Sequence, residues 1–302
     1  LPQTFPSIVR SENTQYNSYY FAGDFADSKN SGNWSNYYGY SNFKSIFTFG
    51  IKGDNSQFYW KCYVPIISKI LKDVSQHKSE STNQTQLQNL QYNSRVLGTE
   101  FQIMQGNQWK DYYSNGVNIG SSTPGKAFTE FSKDENLYLN WFEKIGEMNA
   151  NSIRVYTLQA PQFYSALAYY NQAHPDSVLW LYQEIWPDEN PENGDYLAKE
   201  YNETYQKEIE NVIDAVHGNS NIPKRIGRAS GIYTSDVSSY IAGFLIGREL
   251  EPDEVISTNQ RNPKFSFSGT YLYCETSASP AEAWLAMNCD YALVYEAKEY
   301  SW

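Results

Sequence analysis

The sequence predicts an α/β protein organised around parallel βα units, preceded by a β-hairpin and a small Tyr/Asn-rich α+β segment. Three observations carry the prediction. From Gly116 onward, strand-like and helix-like patterns alternate four times, as in a parallel sheet wound by helices. Helix-start chemistry stands where it should, with Ser132 three residues before Glu135 and Ser279-Pro280 leading to Glu282. Finally, residues 74–96 are dominated by Gln, Asn, Ser and Thr with almost no apolar periodicity, which marks a linker. The expected organisation is therefore a Tyr/Asn/Ser-rich segment over 1–73, the linker over 74–96, and the βα region over 97–302. The first segment reads as a small unit or as the tail of an upstream domain.

Within 1–73, a strand-like run spans Tyr19 to Asp27 and a helix-like run spans Gln57 to Leu71. After the linker, Phe101 and Ile103 alternate with polar residues. Gly106-Asn107 supplies a turn and Trp109 to Tyr113 returns, so a hairpin should close the bottom of the sheet. The first parallel strand is Gly116–Gly120. The helix after it presents Leu137, Trp141, Ile145 and Met148 on one face. Ser152–Thr157 is the second strand and Pro161–Gln172 the second helix. Val178–Tyr182 is the third strand, and Tyr196–Val216 is a long helix with Tyr201, Tyr205, Ile209, Val212 and Val216 in register. Ile241–Ile246 is the fourth strand, and the last helix carries Trp284, Met287, Tyr291 and Val294.

The 302 residues are enough for two ordinary domains or one large one. A net charge of -11 excludes a partner gripped through its phosphates, because a protein so acidic does not displace the counterions of a nucleic acid. Three scattered histidines and three cysteines without a C-x-x-C pair give no metal-ligand spacing, so neither metal nor cofactor is expected. Cys274 and Cys289 could form a disulfide, although free thiols suit the pattern better. No stretch reaches the length of apolar sequence that spans a bilayer. The 27 Tyr and 8 Trp suit both core packing and stacking on the apolar faces of sugars.

In a parallel α/β sheet the chemistry gathers where strands end. The first strand brings Asn118 there, the second Arg154 and Tyr156, the third Gln183, Glu184 and Trp186, and the fourth Arg248 and Glu249. A carboxyl can protonate a leaving oxygen, arginines and amides can hold hydroxyls, and a flat ring can carry a sugar, so the set fits glycoside chemistry. An arginine on a strand buried on both faces requires partners, which favours a functional Arg154. Tyr233 and Asp236, before the fourth strand, are candidates for shaping the cleft or for a turn.

The residues also carry a resemblance. Gly116-Val117-Asn118-Ile119-Gly120, Pro124-Gly125, and the run from Trp141 through Asn149-Ala150-Asn151-Ser152-Ile153-Arg154-Val155-Tyr156-Thr157 resemble clan A glycoside hydrolases. Ile246-Gly247-Arg248-Glu249-Leu250-Glu251-Pro252 matches the end of their fourth strand. The resemblance implies a TIM-type (β/α)8 barrel, of which Gly116 to Trp302 supplies the first four units. Further sequence or a second chain would complete it. It implies Glu249 as acid/base and Arg154 as a support of the site, with Arg248 where an asparagine would hold the sugar 2-hydroxyl. The implied nucleophile, on a seventh strand, is not in this sequence; Glu184 and Glu275 are the carboxylates at hand, and Asp24 and Asp27 lie far off in the first segment. The activity expected is a retaining glycoside hydrolase or transglycosidase on a β-linked extracellular or cell-wall polysaccharide, secreted or at the cell surface. The competing expectation is a non-catalytic glycan-binding or structural surface protein on the same scaffold, with Asn118, Arg154, Tyr156, Glu184, Trp186 and Arg248 holding the sugar in either case.

Overall fold

The computed structural model describes residues 8–12, 17–21, 69 and 90–302. The chain divides into two compact units, 1–82 and 83–302. In the first, strands β1 (Ile8–Glu12) and β2 (Asn17–Phe21) form an antiparallel pair. The helix-like run over 57–71 lies, Lys69 apart, outside the described residues, as does Cys62.

The second unit is a mixed α/β structure. Strands β3 (Ser94–Leu97), β4 (Glu100–Gln105) and β5 (Gln108–Asp111) form an antiparallel sheet, the positive-φ pair Gly106-Asn107 turning β4 into β5. β6 (Gly116–Ile119), β7 (Ser152–Val155), β8 (Trp180–Ile185) and β11 (Ile241–Ile246) form a four-stranded parallel sheet in the order β6-β7-β8-β11. Between β8 and β11 lies a small antiparallel pair, β9 (Ser220–Ile222) and β10 (Gly231–Tyr233), which the sequence reading did not contain.

The helices are α1 (Glu135–Glu147), α2 (Pro161–Ala173), α3 (Lys199–Val216), α4 (Pro252–Arg261) and α5 (Pro280–Tyr300). Proline at the first turn of α2, α4 and α5 presets the backbone and sacrifices no helical donor. At α5 the expected capping box forms, Ser279 accepting from the Glu282 backbone and Glu282 from the Ser279 N–H. At α1 it does not. The cap is Asp134, accepting from Asn136 N, while Ser132 accepts from Asp134 N one turn earlier. The buried stripe of α1 is also offset, to Tyr138, Phe142 and Ile145, and Met148 is exposed. Two adjacent apolar stripes compete on this helix, and the aromatic one packs edge-on against Phe163 of α2.

Alternation along the parallel strands assigns their faces. Ile153, Val155, Leu181 and Ile185 join Phe142, Leu167, Ile209 and Trp284 in one core between the sheet and the helices. Much of the aromatic excess resides there: Trp284 of α5 stacks on Tyr196 and Tyr205 and donates through Nε1 to Asn202. Tyr291, Tyr295 and Tyr300 of α5 donate to Glu210 and Asp214 of α3. On the opposite face, Ile103 packs on Trp180 and Ala242, near the starts of β8 and β11. The β3–β4–β5 sheet thus covers the N-terminal end of that face, as the hairpin expectation required. Its C-terminal end carries Asn118, Arg154, Tyr182 and Glu184. Among the described helices none is long and apolar enough to cross a membrane.

Candidate functional site

Parallel register lines up Asn118, Arg154 and Tyr182 across β6, β7 and β8. One layer further toward the C-terminal edge, Glu184 of β8 stands opposite Leu245 of β11. The third strand extends to Ile185, so Glu184 lies within it rather than in the loop beyond, which holds its carboxyl rigidly. Arg154 donates to Glu184 Oε2 through Nε at 3.1 Å and through Nη2 at 2.6 Å. Both bonds fall on one oxygen. Oε1 takes no protein partner among the described residues.

The environment of Glu184 sets its proton affinity. Burial raises its pKa above the ordinary carboxylate value; the Arg154 hydrogen bond and charge pull it down, and the negative charge of Glu249 raises it again. The net direction is upward. Glu184 is thus a buried carboxyl biased toward its protonated form, with a second carboxylate near enough to be felt.

That second carboxylate reaches the site through a bend. Gly247 has φ +119, a conformation closed to most side chains, and its N–H donates to Ile185 O. After it, Arg248 turns into the protein and Glu249 emerges exposed. The Arg248 side chain, 2% exposed, pairs with Glu254 of α4 and donates to the Glu249 carbonyl. The structure therefore does not bring Arg248 to the open face: the expected sugar contact is an arginine locked in an internal ion pair. The alternation of an extended strand, on which that expectation rested, ends at Gly247.

Arg154 is 36% exposed and lies over the ring of Tyr156, with Cζ 4.6 Å from the centroid. Tyr156 in turn meets Trp186 edge-on at 6.0 Å. Asn118 is exposed at the end of β6. The structure thus gathers Arg154, Tyr156, Glu184, Trp186 and Glu249 about the ends of β7, β8 and β11, with Asn118 beside them on β6. No family model, curated protein or solved structure matches the chain. What the arrangement can do is read from its chemistry: a carboxyl with raised proton affinity, a second carboxylate near enough for its charge to act on the first, a partly solvated guanidinium and two half-buried rings.

Other candidates fall outside the set. Gln183 faces the helices, where its Oε1 accepts from Tyr164. Tyr233 is buried and donates to the Gln159 carbonyl, and Asp236 accepts from the Ser238 N–H and hydroxyl in the turn role anticipated for it. Glu275 accepts through its backbone carbonyl in the loop before α5. Cys274 and Cys289 are free thiols. Asp24 and Asp27 lie outside the described residues.

Next to the set is a cavity of about 690 Å³ that the sequence reading did not foresee. Tyr156, Trp186 and Gln159 line it, together with residues of the loop from Gly120 to Phe131 and of the loop between β9 and β10. Four loops distant in sequence form it, and no periodicity links them. A partial signal existed in Phe128 and Ile226, apolar residues in loop sequence that the fold leaves exposed.

Proposed function

We propose that this protein is a glycoside hydrolase or transglycosidase acting on a β-linked polysaccharide outside the cell or in the cell wall, with Glu184 and Glu249 as its carboxyl pair. The observation that carries the proposal is the asymmetry of the two groups. Glycosyl transfer needs one carboxyl that holds a proton at working pH and one that is ionised. Burial and the neighbouring charge bias Glu184 toward the first role, which leaves Glu249, just past the end of β11, as the partner carboxyl. This exchanges the roles implied by the family resemblance, in which Glu249 is the acid. Arg154 fixes Oε2 of Glu184 so that Oε1 presents the proton, and Tyr156 and Trp186 flank the sugar.

We further infer that the parallel sheet is the first half of a (β/α)8 barrel. Three features support this. The strand order follows the chain order without the reversal that marks doubly wound sheets. Among the described residues the helices pack on one face of the sheet, whereas parallel sheets are normally covered on both. The edges at β6 and β11 have no strand partner among the described residues.

The test is turnover of β-glucan and related polysaccharides by the whole chain and by Glu184→Gln and Glu249→Gln, with unfolding midpoints measured alongside. Each variant should lose about 10²–10⁴-fold in rate while keeping its midpoint. Binding by all three proteins with turnover by none would make this a glycan-binding surface protein instead.

A further inference from the structure

We propose that the cavity beside the carboxyl pair is a second subsite, which holds a neutral glycosyl unit of an oligosaccharide whose neighbouring unit lies at Arg154 and Glu184. The proposal rests on the carbohydrate reading of that pair and specifies what the site takes: an extended neutral chain rather than a single terminal sugar.

The size is right. A volume of about 690 Å³ lies in the roughly 300–1,000 Å³ range of pockets that enclose small organic ligands, far beyond what a water or ion fills. The walls are of two kinds. Phe128, Tyr156, Trp186 and Ile226 offer apolar and aromatic surface, which suits the C–H faces of a pyranose. Gln159 and Thr157 supply the polar part. Gln159 is 1% exposed; its Nε2 donates to Thr157 O at 3.1 Å, and its Oε1 has no partner among the described residues. An acceptor left unpaired just behind the cavity wall calls for a donor, and a turn of the Gln159 amide toward the cavity would let a sugar hydroxyl supply it, which a purely apolar ligand does not.

The charges on the wall argue against an anionic sugar. Arg228 of the lining is paired with both Glu208 and Asp188, Arg225 behind it shares Glu208, and Glu189 adds a further carboxylate to the wall. Neither guanidinium is free to claim an anionic sugar. Continuity with the carboxyl pair comes through Tyr156, whose ring lines the cavity and also lies beneath the Arg154 guanidinium.

The lips of the cavity give a clean test. Phe128 is 81% exposed and Ile226 fully so, hence truncating them does not threaten the fold. Titration calorimetry of glucose and of neutral β-linked gluco-oligosaccharides of two to six units with the whole chain should show affinity rising from one unit to two, by about tenfold or more. In the Phe128→Ala/Ile226→Ser double variant that gain should largely disappear, leaving the disaccharide and longer chains close to the monosaccharide in affinity. Affinity independent of length, a double variant that binds like wild type, or equal affinity for an oligogalacturonide would overturn the proposal. The same samples assayed for turnover separate the two readings. Length-dependent binding without turnover removes the enzymatic reading alone, and turnover with an indifferent double variant removes the subsite alone.

Discussion

Two arginines near strand ends, Arg154 at β7 and Arg248 just past β11, each pair with a glutamate, yet they do opposite work. Arg154 is more than a third exposed, lies on an aromatic ring, and grips one oxygen of a carboxyl whose other oxygen has no partner among the described residues. Arg248 is sealed beneath α4, its partner Glu254 also accepts from the Tyr196 hydroxyl and the Asn190 N–H, and its own Nε has no partner among the described residues. The first pair leaves capacity for a ligand and the second spends nearly all of its capacity on holding a loop to a helix. Ion pairing by itself therefore says little about function; solvent access and unused valence separate the two.

The largest expected effect follows from removing one charge from each pair. Arg248→Met strands Glu254 in the interior and should cost about 3–5 kcal/mol in urea unfolding. Arg154→Met should cost about 1 kcal/mol, because the guanidinium is itself partly solvated and the buried Glu184 can accept a proton in its place. Equal losses in the two variants would erase the distinction drawn here. Carbohydrate binding should respond in the reverse order, with Arg154→Met impaired and folded Arg248→Met unaffected.

A smaller effect separates the tyrosines that accompany the pairs. Tyr196 donates to Glu254 Oε2 at 2.7 Å, so Tyr196→Phe removes a charge-assisted hydrogen bond and should destabilise by about 1.5–3 kcal/mol. Tyr156 contributes its ring, not its hydroxyl, to Arg154 and Trp186, so Tyr156→Phe should be nearly silent in both stability and binding. A Tyr156→Phe variant that loses sugar affinity would reassign the hydroxyl to the ligand.

The same contrast explains what could be read from the sequence. The parallel strands, α2, α3 and α5 were legible because hydrophobic periodicity and proline or serine starts are local signals. So was the placing of Arg154 and Tyr156 at the end of the second strand, since the face of a strand follows from counting by twos. The role of Arg248 was not legible, because the bend at Gly247 cancels that count and Glu254 arrives from α4, a helix the sequence reading omitted. Nor was the face of α1, where neighbouring apolar stripes are equally hydrophobic. The cavity, built from four loops, depends wholly on tertiary placement.

The finest prediction concerns the proton on Glu184. Its folded-state pKa is raised, mainly by burial, so the folded protein binds this proton more tightly than the unfolded chain does. Its contribution to stability is then most favourable below the ordinary carboxylate range and declines as pH rises through the raised value. Arg154 opposes the shift and Glu249 adds to it. Arg154→Met should therefore move the Glu184 titration, followed by carboxyl 13C NMR, to higher pH, and Glu249→Gln should move it lower. The stability deficit of Arg154→Met should shrink as pH falls, because Glu184 is protonated in both proteins there and the lost pair no longer matters. The alkaline limb of turnover in this variant should shift upward with the same titration, since a proton donor that holds its proton longer stays competent to higher pH. A deficit that stays constant with pH would mean that Arg154 stabilises the fold by packing, and Glu184 would then lose its claim to be a proton donor tuned by its neighbours.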